Sequence, residues 1–265
     1  MKARTINKLL FEKGYILADI LLLFEGYLNS NYNLSLSEDI DFEDERVEKM
    51  FYLLDKKYPP CYLSGYVLVR GLKVFVNENT LIPRTETIDF ITGYLKENYD
   101  FNNKDVLDLC TGSGIISLLI KKYFPQCNIC GSDISLKALD TAKRSASFNN
   151  LDIDFICSDF LNDIDKKFSF IICNPPYIES GNKEVDADYE PELALFSGED
   201  GLDSYRKIFS SLSSHLYDDG IAFFEIETSN YQKVKELAES SLKNYRIDVY
   251  FDVEKKERYL ILSRY

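Results

Sequence analysis

The chain has 265 residues, with 31 Lys and Arg against 44 Asp and Glu, a formal charge of −13 and a pI near 4.7. At ~100–200 residues per domain, this length suits one large domain or an ordinary domain with a small companion. A content of 45% hydrophobic and 28% charged residues excludes global disorder. The acidic balance argues against holding nucleic acid by the chain's own charge, although a basic protein partner remains open. A single histidine, His215, excludes mechanisms that need several imidazoles, most zinc hydrolases among them. No window approaches the ~20 apolar residues of a membrane span. The best, Ile16 to Phe24, is interrupted by Asp19 and followed by no small-residue cleavage site, so neither a membrane nor a targeting segment is expected. Six cysteines without such a leader point to free thiols in a reducing, cytoplasmic compartment. Cys127-Asn-Ile-Cys130 has the spacing of a redox or metal pair. No second pair or nearby histidine accompanies it, and the two thiols fall on opposite faces of an expected strand. They read as buried and inert, and no metal site is expected.

Residues 1–60 read as a helical domain. Ile6, Leu9, Leu10 and Leu17 follow a helical period, and Ile16 to Leu28 continues with a dense apolar face. Ser35-Leu-Ser-Glu38 resembles a capping box opening a further helix that carries Val47, Met50, Phe51 and Leu54, stopped by Pro59-Pro60. In residues 61–84 the period changes to two: Tyr66 to Arg70 and Leu72 to Val76 form a hairpin around Gly71. From residue 85 to 265, after a helix over Thr85 to Tyr99, strands and helices alternate. Strands are expected at Val106 to Leu109, Ile129 to Ser132, Asp154 to Cys157, Phe168 to Cys173 and Gly220 to Ile226, and an antiparallel pair closes the chain at Tyr245 to Val253 and Glu257 to Ser263. Such alternation predicts an α/β fold with a mostly parallel sheet covered on both faces.

Three signals sit at carboxyl ends of successive strands, where open α/β sheets bind ligands. Asp108-Leu-Cys-Thr-Gly-Ser-Gly114 is a glycine-bearing turn between strand and helix, and the helix start offers N–H groups to an anion. Alone, such turns are common as plain structure. Asp133 ends the next strand at the position where an acid takes ribose hydroxyls, although an aspartate there also serves simply as a helix cap. Asn174-Pro-Pro-Tyr177 follows the apolar strand Phe170 to Cys173. Two prolines remove two N–H donors and fix an extended path. They leave the Asn174 side chain, the Pro175 carbonyl and the Tyr177 ring to face a substrate. Two acceptors can take both hydrogens of a planar –NH2 group while an aromatic face holds its plane. That arrangement suits methylation of a poor nitrogen nucleophile by orientation and electrostatics, without a low-pKa base.

With these motifs the sequence resembles the class I S-adenosylmethionine-dependent methyltransferases, and more closely the release-factor glutamine methyltransferases (the HemK/PrmC family). The resemblance covers most of the chain, including Leu81-Ile-Pro-Arg-Thr-Glu-Thr87, Ser158-Asp-Phe160 and Tyr189-Glu-Pro-Glu-Leu-Ala-Leu195. It implies a Rossmann-like seven-stranded sheet behind a small helical domain and a hairpin linker. The cofactor implied is S-adenosyl-L-methionine, with S-adenosyl-L-homocysteine as product, bordered by Cys110, Thr111, Gly112, Ser113, Gly114 and Asn174. Asp133 is implied at the ribose, and Asp159 and Phe160 at the adenine. The reaction is placed on Asn174, Pro175 and Tyr177, with Pro176 and Arg84 also at the substrate. That substrate is the glutamine of the Gly-Gly-Gln tripeptide in peptide-chain release factors, methylated on its side-chain amide nitrogen by a monomeric enzyme with no direct nucleic-acid contact. A nucleic-acid amino methyltransferase shares Asn-Pro-Pro-Tyr and is the alternative, disfavoured by charge; a non-catalytic cofactor-binding module is another. Two departures stand out. Cys110 replaces the usual glycine, so a position free of positive φ is expected there, and Thr85 and Ile88 replace Pro and Glu. The acidic stretch from Glu179 to Asp200 reads equally as a cover for the glutamine or as a solvated charge run.

Overall fold

The computed structural model describes residues 1–182 and 188–265; the middle of the acidic stretch, 183–187, lies outside the described residues. The chain divides into two compact units, Met1–Glu78 and Asn79–Tyr265.

The first unit packs α1 (Ala3–Glu12), α2 (Leu17–Leu22, running into a π-helical turn at Leu23–Tyr27), α3 (Tyr32–Glu38) and α4 (Asp44–Asp55). Ile6 and Leu10 of α1, Ile20 of α2, Phe24 of the turn, and Val47 and Met50 of α4 make one fully buried cluster, which is the face the helical periodicity marked. The capping box at Ser35 is corrected: Ser35 lies inside α3, and Asn31 caps it, its side chain accepting from the Leu34 N–H at 2.9 Å. A short α5 (Pro60–Ser64) then leads into the hairpin of β1 (Tyr66–Val69) and β2 (Leu72–Phe75), which belongs to this unit.

The second unit opens with α6 (Thr85–Asp89), which continues through a π-helical segment, Phe90–Leu95, to Lys96–Asn98. A seven-stranded sheet follows, in the order β5-β4-β3-β6-β7-β9-β8. Its strands are β3 (Asp105–Leu109), β4 (Asn128–Asp133), β5 (Asp154–Cys157), β6 (Phe168–Cys173), β7 (Leu216–Glu225), β8 (Tyr245–Phe251) and β9 (Glu257–Arg264). β3 to β7 are parallel and β9 runs antiparallel between β7 and β8. Val106 and Leu107 of β3, and Phe168 and Phe170 to Cys173 of β6, are buried on both faces, which is why these strands read as continuous apolar runs. The helices are α7 (Ile115–Tyr123), α8 (Leu136–Phe148), α9 (Glu192–Leu195), α10 (Asp203–His215) and α11 (Tyr231–Ser241). On one face Tyr205 and Phe209 of α10 and Val234 of α11 close the core. On the other, Phe90 of the π-helical segment stacks on Tyr259 with ring centroids 3.6 Å apart, within a layer that includes Phe101, Phe170 and Phe223. The strand order reverses between β3 and β6. At such a switch point the two flanking loops diverge and open a crevice. No helix among the described residues is long and apolar enough to cross a membrane.

Candidate active site

A cavity of about 300 Å³ opens at the carboxyl ends of β3, β4 and β6. Cys110, Thr111, Gly112 and Ser113 line it from the turn after β3, Asp133 from the end of β4, Asp159 and Phe160 from beyond β5, and Asn174 and Pro176 from the end of β6. Arg84 reaches it from the start of α6. Gly114, Pro175 and Tyr177 lie outside the lining. Gly114 opens α7 with φ 84° and is pressed against Ala142, where a Cβ would stand 3.1 Å from the Ala142 Cβ. Pro175 is buried, and the Tyr177 ring packs on the sheet core, its phenol held above its ordinary range by burial and by Glu225 and Glu227. The Tyr177 carbonyl accepts from the Asn230 side chain at 3.2 Å, and Gly201 approaches so closely that a Cβ there would stand 2.4 Å from the same oxygen. The path of the two prolines is thereby clamped from below.

The glycine turn rests on a carboxylate. Asp108, fully buried, accepts on Oδ2 from Thr111 Oγ1 at 2.5 Å, from the Ser117 N–H at 2.9 Å and from Ser117 Oγ at 2.7 Å. One N–H group of the helix start expected to face an anion is already taken, because the Ser117 N–H in the first turn of α7 donates to Asp108. Burial pushes Asp108 up to about 6, against those hydrogen bonds and with a small addition from Asp133. An acid raised in the folded state binds its proton more tightly there than when unfolded. Its contribution to stability is therefore present below pH ~4 and lost as pH rises to about 6. Urea unfolding at pH 4 to 7 should show the unaltered protein losing about 2 kcal/mol of stability relative to Asp108→Asn as pH rises across that window. A difference independent of pH would refute the raised carboxyl.

Asp133 is no helix cap, because Ser135 caps α8, accepting from the Ala138 N–H at 3.2 Å. Instead Asp133 braces the turn: Oδ2 accepts from the Gly112 N–H and Oδ1 from the Ser135 N–H, both at 2.9 Å. Each oxygen keeps a second lone pair. Ser132, also in the lining, carries a buried hydroxyl with no partner among the described residues, which a polar ligand would satisfy. Asp133, Asp159 and Asp203 line the cavity against two cations, both engaged: Lys207 pairs with Asp159 at 3.7 Å and Arg84 with Glu190. A cavity with spare acceptors and apolar walls fits a positively charged nucleoside.

Glu190, which the sequence singles out only as part of the Tyr189 to Leu195 segment, has a definite task here. Its carboxylate accepts from the Ile82 N–H at 2.8 Å and pairs with Arg84, so it joins the Leu81 to Thr87 segment to the Tyr189 to Leu195 segment. The acidic stretch is pinned on both sides of its undescribed centre, Ile178 bridging Phe196 and the Ser180 N–H donating to the Gly198 carbonyl at 2.8 Å. His215 lies at the end of α10, bonded to the Ser211 and Ile164 carbonyls. Cys127 and Cys130 are buried and free, burial raising the first thiol and pushing the second up to about 11.

Residues 83–190 match the model of the methyltransferase small domain. Over most of its length the chain is similar to release factor glutamine methyltransferases. It is 34% identical to that of Streptococcus pneumoniae, covering 88% of this chain and 86% of the relative, and 33% identical to that of Flavobacterium psychrophilum, covering 91% and 90%. The chain belongs to the release factor glutamine methyltransferase family. Solved methyltransferases share the fold: a ribosomal protein L11 methylase from Lactobacillus delbrueckii subsp. bulgaricus at TM-score 0.54 and 21% identity, covering 71% of this chain and 83% of that one, and a methyltransferase from Pyrococcus furiosus at TM-score 0.55 and 17% identity, covering 83% and 98%. This member of the family does carry positive φ where the usual glycine is missing. Cys110 has φ 63°, contrary to the expectation above, a backbone conformation that costs a non-glycine residue on the order of 1–2 kcal/mol. Its thiol packs on the sheet core beside Cys173.

Proposed function

We propose that the chain transfers a methyl group from S-adenosyl-L-methionine to the side-chain amide nitrogen of the glutamine in the Gly-Gly-Gln tripeptide of peptide-chain release factors. The observation that carries this reading is Asn174. It borders the cavity at the end of β6, with its side-chain nitrogen directed at Thr87 (3.3 Å), which leaves its oxygen free to accept. S-adenosyl-L-methionine, when bound, supplies a sulfonium methyl as the electrophile.

The chain's own residues do the rest. Asp133 accepts from the ribose hydroxyls, Thr111 to Ser113 border the methionine end, and Asp159 and Phe160 hold the adenine. Asn174 Oδ1 and the Pro175 carbonyl accept the two hydrogens of the glutamine –NH2. An amide lone pair is delocalised, and acceptors on both hydrogens favour the charge that builds there as the nitrogen attacks. They also hold the nitrogen in line, and orientation of this kind is worth several orders of magnitude. Pro176 and the clamped Tyr177 keep the path rigid, and Arg84, tied to Glu190, borders the entrance. The helical first unit and its hairpin are read as the part that orients the release factor.

The test is transfer of labelled methyl to a purified bacterial release factor, beside the same factor with the Gly-Gly-Gln glutamine replaced. Label on the first alone is expected. Label on neither, with cofactor bound, would remove the substrate and turn attention to DNA and ribosomal RNA.

A further inference from the structure

Behind Asn174 a line of polar groups runs into the core. Asn174 Nδ2 donates to Thr87 Oγ1 at 3.3 Å, and Thr87 Oγ1 donates to Glu225 Oε2 at 2.6 Å. Tyr259 donates its hydroxyl to the same carboxylate oxygen, and Tyr205 donates to the Glu225 backbone carbonyl at 2.6 Å. Thr87, Glu225 and Tyr259 are all buried. No ion pair reaches the Glu225 carboxylate among the described residues: Arg258, whose charge acts on it, is engaged by Asp252 at 2.8 Å and Glu86 at 3.7 Å. A buried carboxylate held only by hydroxyls is costly, and packing alone is served as well by a neutral side chain of the same shape.

What the carboxylate adds is direction. When ionised it can only accept, so the single Thr87 proton goes to Glu225 and the Thr87 lone pairs face Asn174. The Asn174 carboxamide must then turn its –NH2 group to Thr87 and its oxygen to the cavity. With no acceptor in place of Glu225, the Thr87 proton is released toward Asn174, the carboxamide turns over, and an –NH2 group meets the hydrogens of the substrate amide.

We propose that Glu225, acting through Thr87, fixes which end of the Asn174 carboxamide faces the substrate. Both are positioning residues, and the inference rests on the reading of Asn174 as acceptor for the glutamine amide. The groups facing Glu225 are Glu86 and Thr87 from α6, Arg258 and Tyr259 from β9, Cys173 and Tyr177 around the end of β6, and Tyr205 from α10. Burial raises its carboxyl, with Glu86 adding and Arg258 opposing. Protonation in acid gives the carboxyl a donor of its own, so the Thr87 proton is no longer compelled toward it, and this contributes to the acid limb of turnover.

The experiment compares Thr87→Val, Thr87→Ser and Glu225→Met in the full chain; methionine has the length of glutamate and no oxygen to accept the Thr87 proton. Thr87→Val and Glu225→Met are expected to lower kcat on the release factor by about 10- to 100-fold, with KM and cofactor dissociation constants changed by less than about 3-fold. Thr87→Ser keeps the hydroxyl and most of kcat, and Glu225→Met loses the Glu225 ionisation from the acid limb of its kcat–pH profile. Rescue by serine but not by isosteric valine separates direction from packing; equal impairment of the two overturns the proposal, as does full activity of Thr87→Val. A second readout needs no substrate. The Asn174 side-chain amide resonance, identified by its absence in Asn174→Ala, is expected to show contact with residue 87 in the unaltered protein and Thr87→Ser, and to lose it in Glu225→Met. If the unaltered protein labels no release factor, the substrate reading falls while this readout still decides the positioning. An amide indifferent to Glu225→Met overturns it.

Discussion

Asn174→Ala is expected to lower kcat for methyl transfer by about 10²–10³-fold, the cost commonly found when one preorganised polar group at a reacting centre is removed. The cofactor dissociation constant is expected to move by less than about 3-fold, because ribose and adenine contacts are assigned to other strands and one lost neutral hydrogen bond is worth only ~1 kcal/mol. Truncation leaves Thr87 and Glu225 bonded to each other, so the fold behind the site has no reason to collapse. Single-turnover labelling beside calorimetric cofactor titration separates the two effects. Loss of binding with turnover intact at saturation would move Asn174 from the substrate to the cofactor.

Asp133→Ala is expected to weaken S-adenosyl-L-methionine binding by about 10²-fold or more. Two hydrogen bonds from hydroxyls to a carboxylate contribute roughly 1.5–3 kcal/mol each when well formed. The same oxygens hold the Gly112 and Ser135 N–H groups, so the alanine variant also frees the glycine turn that borders the ligand. Asp133→Asn keeps one acceptor and is expected to fall between. Titration of all three proteins with cofactor and with S-adenosyl-L-homocysteine checks this, and a deficit shared by both ligands places the loss on the nucleoside. An unchanged affinity would leave Asp133 as a brace for Gly112 and nothing more.

The difference between what the sequence disclosed and what it hid follows from how far apart the partners lie. Asn174, Asp133 and the glycine turn are legible because each motif is local and the alternation of strands and helices puts their ends on one side of a sheet. Glu225 and Thr87 are 138 residues apart and Glu190 and Arg84 are 106 apart, so no spacing rule joins them; the segments carrying Arg84, Thr87 and Glu190 stood out, but neither the Arg84–Glu190 pairing nor Glu225 did. Tyr259 is likewise one of 19 tyrosines until the sheet sets it across from Glu225. At Ser35 a local rule misled, because Asn31, four residues earlier, competes for the same role and the apolar contacts of Phe24 and Tyr32 favour the earlier start. At Cys110 the backbone angle is dictated by the turn under the cavity, which no side chain announces.

The place of β9 in the sheet carries a consequence for synthesis. It is the last strand in chain order, yet it lies between β7 and β8 and brings Tyr259 to Glu225. A nascent chain extended only as far as β8 therefore has an unfilled slot inside its sheet, with β7 exposing a free edge along Ile221 to Glu225 and Glu225 lacking one of its donors. Loops of this span close late and leave sticky edges in the meantime. The sealed sheet and the full set of hydroxyls around Glu225 both depend on β9 taking its place between β7 and β8.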